Sequence, residues 1–226
     1  MNNHTLLSGI VGSTAYGLQT ESSDVDYLGV FAAPTAVILG LEPVKESRVT
    51  KDPDSTLHEA HKYVRLALAG NPTVSELLWL DDYEYKHRLG SELIEIRSFL
   101  LSRKRVRDAH LGYASDQFNK LMARGGKSFS ADTRHRTAKH ARHMLRLLVQ
   151  GYELYSTGQL TIKVEDPLQF FAFGDAVANG AVVLAQHTMK HFVEKFDQAL
   201  TPLPEQPDKE LANDWLLRVR KEFWDR

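Results

Sequence analysis

The hydrophobic pattern opens with a short apolar run, Leu6 to Val11, that stops at Gly12-Ser13. A run of that length ending in turn residues predicts a buried strand. Asp24 to Ala32 alternates and then turns wholly apolar, which predicts a second strand, and Pro34 and Gly40 punctuate the connection after it. Arg48 to Asp54 reads as a third strand, with Pro53 confining it to an edge or marking its end. The period then changes. Leu57, Ala60, Val64, Ala67 and Leu68 recur at helical spacing, closed by Gly70 and by Asn71-Pro72. Thr73 opens the next helix, with Glu76 three residues on in capping-box position, and Ser91 to Leu101 is another amphipathic helix. Helical periodicity continues over 105–123, 131–157, 175–198 and 209–224, broken by Gly125-Gly126 and by the proline-containing stretches 165–168 and 202–207. The pattern predicts a small α/β unit followed by a helical one, without repeats or low-complexity segments.

At 226 residues, both one large domain and two small ones fit the length. The composition, 42% hydrophobic and 25% charged with mean hydropathy -0.34, excludes a collagen-like or wholly disordered chain. No stretch approaches the ~18 apolar residues of a membrane helix. MNNHTLLSGIVGS lacks the basic start of a signal peptide. The absence of cysteine excludes disulfides, thiolate zinc sites and cysteine nucleophiles, and it suits the cytoplasm. Charge changes the picture more. The net charge of -1 conceals a block, residues 101–150, in which 12 Lys and Arg face 3 Asp and Glu, with four histidines besides. Such a block is either a solvated helix surface or a place where an anion is held.

The chemistry concentrates at Gly12-Ser13 and, about ten residues later, Ser23-Asp24-Val25-Asp26. Two carboxylates at i and i+2 of a strand share a face, and hard oxygen donors suit Mg²⁺ or Mn²⁺. Glycine lets the backbone approach a phosphate, serine adds a hydroxyl donor, and a helix starting at Thr14 or Ala15 would aim its amides at the same anion. A site of this kind needs a third carboxylate. Asp54 is the best placed, with Asp52 and Glu59 as competitors. Taken singly, an Asp-x-Asp pair or a Gly-Ser is more often a turn or a cap; the ordered combination is what points to chemistry.

GSTAYGLQTESSDVDYLGVF resembles the signature of the DNA polymerase β-type nucleotidyltransferase superfamily. Within it, the chain is similar to the predicted nucleotidyltransferases of bacteria and tailed phages, including an RNA-ligase-associated group. The similarity continues through DSTLHEAHKYVRLALAGNPTVSELLWL, LIEIRSFLLSRKRVRDAHLGYASDQ and KHARHMLRLL, and covers at least residues 6–150. The resemblance implies an α+β fold, with a small mixed-sheet nucleotidyltransferase core over 1–102 and a mainly helical domain over 103–226 that closes the cleft. It implies metal ligands at Asp24 and Asp26, a phosphate loop at Gly12 and Ser13, and the third carboxylate at Asp54, although Pro53 and Ser55 depart from the apolar flanks usual for that position. The implied reaction moves a nucleoside monophosphate from an NTP such as ATP to a hydroxyl, an RNA end among the acceptors, with Mg²⁺ or Mn²⁺, in the host cytoplasm if the chain is phage-encoded. A non-catalytic nucleotide- or RNA-binding module and a toxin–antitoxin type protein-modifying enzyme are the rival readings.

Plotted as a helix, 131–157 places Ala138, Ala141, Leu145, Leu148, Val149 and Tyr152 on one stripe. Arg136, Lys139, His140, His143 and Arg146 fall opposite. This basic face is expected to border the cleft and bind the triphosphate or an RNA backbone. The Arg136-to-His143 spacing is also loosely that of some helical ribonucleases, a match expected by chance in so basic a segment. The pairs His58/His61, His140/His143 and His187/His191 lack a third ligand for zinc. Of Tyr63, Trp79, Tyr83 and Tyr85, all able to stack a base, Trp79 is expected to pack in the core.

Overall fold

The computed structural model describes residues 4–41, 43–124 and 131–224. The chain folds into two compact units, Met1–Ser102 together with Pro204–Arg226, and Arg103–Leu203. The Gly125-Gly126 break lies outside the described residues.

The first unit is built on one mixed sheet. Strand β1 (Thr5–Val11) runs directly into the single-turn helix α1 (Gly12–Tyr16), and a loop leads to β2 (Asp26–Phe31). After α2 (Thr35–Ile38), the chain forms the hairpin of β3 (Ser47–Lys51) and β4 (Asp54–Glu59). It continues into α3 (Ala60–Leu68), α4 (Pro72–Glu76), the short β5 (Tyr85–Lys86) and α5 (Arg88–Glu95). The strand order is β3-β4-β2-β1-β5, with β2 and β4 parallel and the other pairs antiparallel. Leu7, Val11, Leu28 and Val30 from the sheet are buried with Tyr63, Val64, Leu89 and Leu93 from the helices.

The structure corrects several expectations. Pro53 does not end a strand that contains Asp54; it lies with Asp52 in the two-residue turn of the β3–β4 hairpin, and Asp54 begins the next strand. Leu57 therefore belongs to β4, and the helix starts at Ala60, because Thr56-Leu57-His58 pairs with both β2 and β3 before the chain turns. The helix cap at α4 is Asn71, whose side chain accepts from the Val74 amide, and not a Thr73–Glu76 box. The final helix, α10 (Lys209–Glu222), also belongs to this unit and not with 103–203. Trp215 and Val219 are fully buried in the sheet-side core, and the Trp215 indole donates to the Leu89 carbonyl at 2.8 Å.

The second unit is helical: α6 (Arg103–Arg124), α7 (Ala131–Thr157), α8 (Pro167–Ala178) and α9 (Val182–Gln198). The stretch 165–168, expected as a break, is the start of α8. Asp166 caps it by accepting from the Gln169 amide, and Pro167 occupies the first turn, where a missing N–H costs nothing. Ala141, Met144, Leu147 and Leu148 of α7 form the core with Ala114 and Leu121 of α6, Val177 of α8 and Ala185 of α9.

Candidate functional site at one end of the sheet

Where β1 ends, the parallel strands β2 and β4 begin. Their pairing lines up Val11, Asp26, Asp54 and Lys51 across four adjacent strands. Asp26 and Asp54 are register partners, so their Cα atoms lie one strand spacing apart, about 4.8 Å, with both side chains on the same face. Asp54 is exposed and Asp26 half-buried. Asp24 does not share the strand as expected; it is exposed in the loop just before β2. Within that loop the Ser23 hydroxyl accepts from the Thr20 amide at 2.9 Å, and the Ser23 amide donates to the Thr20 carbonyl at 2.9 Å, so a closed turn presents Asp24. Gly12 adopts φ +70°, and a Cβ there would collide with Oδ2 of Asp26. Both the backbone and the neighbouring carboxylate therefore demand glycine. Gly12 and Ser13 are the first residues of α1, and Gly12 lies against the first carboxylate of β2.

The competitors for the third carboxylate are placed elsewhere. Glu59, at the far end of β4, is buried and held by Arg220 at 2.6 and 3.0 Å, and it caps α3 by accepting from the His61 amide at 2.8 Å. Asp52 is an exposed turn residue. Sequence reasoning passed over two groups. Lys51 is the register partner of Asp54 on the side away from Asp26. Tyr16, at the end of α1, donates its hydroxyl to the buried Glu76 carboxylate. The hairpin signal around Pro53 would have found the first; the second joins residues 60 apart and has no local signal.

In the second unit, α7 carries the basic residues differently from its helical plot. Arg136 and Lys139 are exposed, Arg136 pairing with Asp132 one turn away. His140 is half-buried, with Nδ1 2.7 Å from the Gln117 amide oxygen. Arg146, expected on the outward face, is 2% exposed. Its Nη1 donates to Gln150 Oε1 at 2.7 Å, and Nη2 lies 3.4 Å from His143 Nδ1. Gln150 in turn donates to the carbonyls of Thr161 and Ile162. Val149, placed on the apolar stripe by the plot, is exposed. The plot assumes one buried face, but α7 packs against α6, α8 and α9, so polar residues beyond the stripe are covered as well. Burial pushes the His143 imidazole down to about 3, and Arg146, His140, Lys120 and Lys139 push the same way. Burial likewise takes His110 down to about 4, partly opposed by its hydrogen bond to the Val106 carbonyl.

The sequence model of RlaP, the RNA repair pathway DNA polymerase beta family, matches residues 2–195. The chain belongs to this family. It is thus a polymerase β-type nucleotidyltransferase, and its small mixed sheet with many helices is the α+β fold expected of one. Among solved structures it is similar to a nucleotidyltransferase-like protein from Exiguobacterium sibiricum 255-15, at 14% identity over 99% of this chain and 75% of that one, with a TM-score of 0.35. No curated protein sequence matches.

The family's chemistry uses an NTP and a divalent metal, and the sheet end of this nucleotidyltransferase fits such an ion in its donors. Asp24, Asp26 and Asp54 offer only carboxylate oxygens, the ligands of hard dications. Among the described residues there is no group of three His, Asp or Glu side chains placed to hold a metal ion. Mg²⁺ does not require one, since it commonly takes one or two carboxylates and completes its shell with water and substrate phosphates. The histidine pairs considered for zinc form no such group either; His58 Nδ1 is 2.9 Å from the Ser47 hydroxyl. Among the described residues no helix is long and apolar enough to cross a membrane.

Proposed function

We propose that the chain transfers a nucleoside monophosphate from an NTP to a hydroxyl at an RNA end, with release of pyrophosphate. The observation that carries the reading is the row at the sheet end, in which Asp26 and Asp54 are register partners and Gly12 lies against Asp26. The family's description, which links it to an RNA repair pathway, supports RNA as the acceptor. Gly12 and Ser13 hold the β- and γ-phosphates, the serine hydroxyl donating to a phosphate oxygen. Asp54 accepts the proton of the acceptor hydroxyl as its oxygen attacks the α-phosphorus and the bond to the pyrophosphate oxygen breaks. Asp24 and Asp26, with Asp54, would hold Mg²⁺ or Mn²⁺, which supplies positive charge to the developing phosphoryl oxygens. On α7, the exposed Lys139 and the half-buried His140 serve the RNA phosphates, while Arg146 and His143, bonded to Gln150 and to each other, hold the helix that carries them.

The test is to incubate the protein with each α-labelled NTP, Mg²⁺ or Mn²⁺, and total cell RNA and protein. Label entering RNA termini, and lost with Asp26→Asn, supports the reading. Label entering a protein would identify a protein-modifying enzyme, and nucleotide binding without transfer would identify a binding module.

A further inference from the structure

The turn that meets the substrate phosphates is held by a helix too short to hold itself. Helix α1 has five residues, its cap residue Val11 contributes no side-chain hydrogen bond, and Gly17 ends it in the left-handed conformation at φ 71°. An isolated turn of this length is unstable in water, so its orientation must come from what it touches. At its start Gly12 lies against the Asp26 carboxylate. At its end Tyr16, 6% exposed, donates its hydroxyl to Glu76, 2% exposed. Glu76 is itself on a fixed support. Asn71 caps α4, and the Tyr63 hydroxyl donates to the Val74 carbonyl at 2.8 Å, tying α4 to α3. The contact thus runs from α3 through α4 and Glu76 to Tyr16, and along one helical turn to Ser13. A carboxyl group in so dry a place costs free energy that an apolar side chain would not. Its use there calls for a reason other than packing.

We propose that Tyr16 and Glu76 are positioning residues for nucleotidyl transfer. Their buried hydrogen bond sets the direction of α1 and so places Gly12 and Ser13 against the triphosphate. This rests on the reading of Gly12-Ser13 as the phosphate turn. Tyr16→Phe removes the donor and keeps the ring. It lets α1 tilt, and displacement of the phosphate-holding groups weakens NTP use while the sheet and its carboxylates stay in place. Glu76→Gln keeps an acceptor oxygen for the tyrosine and so preserves the anchor.

The experiment measures KM and kcat for pyrophosphate release with Mg²⁺ and the best of the four NTPs, together with amide hydrogen exchange of residues 12–18 and the melting temperature. Ser13→Ala gauges the underlying reading. The expected result is a raised KM with Ser13→Ala, and a loss of about ten- to hundredfold in kcat/KM with Tyr16→Phe, carried mainly by KM. Exchange in 12–18 should be faster with global exchange unchanged. Glu76→Gln should stay within a few-fold of wild type, and the double variant should be no worse than Tyr16→Phe, as coupled groups behave. If Ser13→Ala raises KM but Tyr16→Phe changes neither KM nor local exchange, the positioning role is wrong while the phosphate turn stands. If Tyr16→Phe lowers only the melting temperature, the pair is merely structural. If Ser13→Ala leaves KM unchanged, the phosphate turn is wrong and the positioning role falls with it.

Discussion

The sheet end and helix α7 both concentrate charge, and they treat it in opposite ways. At the sheet end Asp26 and Asp54 are register partners on adjacent strands, Asp54 exposed and Asp26 half-buried, and Asp24 is exposed in the loop just before. On α7, Arg146 and most of His143 are withdrawn from water and bound to Gln150 and to one another. Repulsion between exposed carboxylates serves the fold poorly and suits a site that acquires cations. Buried, hydrogen-bonded polar groups define how helices fit and are costly to disturb. Substitutions in the two places should therefore fail differently, one in chemistry and the other in stability.

The largest effect should come from Asp26→Asn. On the proposed function, removing one charge where cations and phosphates would meet is expected to cut transfer about a thousandfold or more, equivalent to roughly 4 kcal/mol. The melting temperature without divalent metal should be unchanged or slightly higher, because self-repulsion falls. Single-turnover assays beside thermal melts check both halves. Asp24→Asn should behave alike. A variant that keeps near-normal transfer removes that aspartate from the site.

What was legible in the sequence follows the same division. The row at the sheet end was readable because its parts obey local rules. An apolar run met Gly-Ser, and the second aspartate of an Asp-x-Asp opened the next strand. The position of Asp54 was less so, since Pro53 looked like the end of a strand when it was the turn of a hairpin. Pairing between strands decided its place, and no single-strand pattern contains that. The burial of Arg146 was not legible at all. A helical plot knows one face, whereas three neighbouring helices cover α7. The placement of α10 in the first unit was also hidden, because Trp215 and Val219 fit any helical core and only the partner surface says which.

Arg146→Ala sharpens the contrast from the other side. It removes the hydrogen bond to Gln150, leaves that amide oxygen buried, and opens space in the helical unit. The expected loss is about 2–3 kcal/mol of stability, read as a lower midpoint in urea. Nucleotide affinity per folded molecule should change little. A fully stable Arg146→Ala protein with impaired RNA binding would mean the arginine serves the ligand and not the fold.

Acid should act on the same unit. A histidine whose folded pKa is lowered binds its proton more readily when unfolded. Between the ordinary value of 6.5 and the folded values of about 3 for His143 and about 4 for His110, the unfolded state holds more protons and stability falls with falling pH. The stability is fully present above pH 6.5 and declines below it, approaching 1.4 kcal/mol per pH unit for each histidine well inside that window. Urea midpoints at pH 7.0 and 5.5 should differ, and His143→Gln should reduce the difference. An unchanged midpoint would mean that neither imidazole is held neutral.

The smallest effect belongs to Lys139, the exposed member of the α7 group. A solvated lysine contributes little to the fold, so Lys139→Ala should leave the melting temperature within about a degree of wild type. If it meets RNA, it does so as one charge against one phosphate. Losing one such contact releases about one fewer counterion, so the slope of log K against log salt should become shallower by about one unit, with weaker binding at low salt and no change in base preference. Lys139→Glu should be worse than alanine, because it sets a like charge beside the phosphate. Titrating a fluorescent RNA at three salt concentrations reads all of this on one protein preparation. An unaltered slope would return Lys139 to the status of a solvated side chain. The contrast would then be complete in an unexpected way, with the charge on α7 serving only the fold and all ligand binding left to the sheet end.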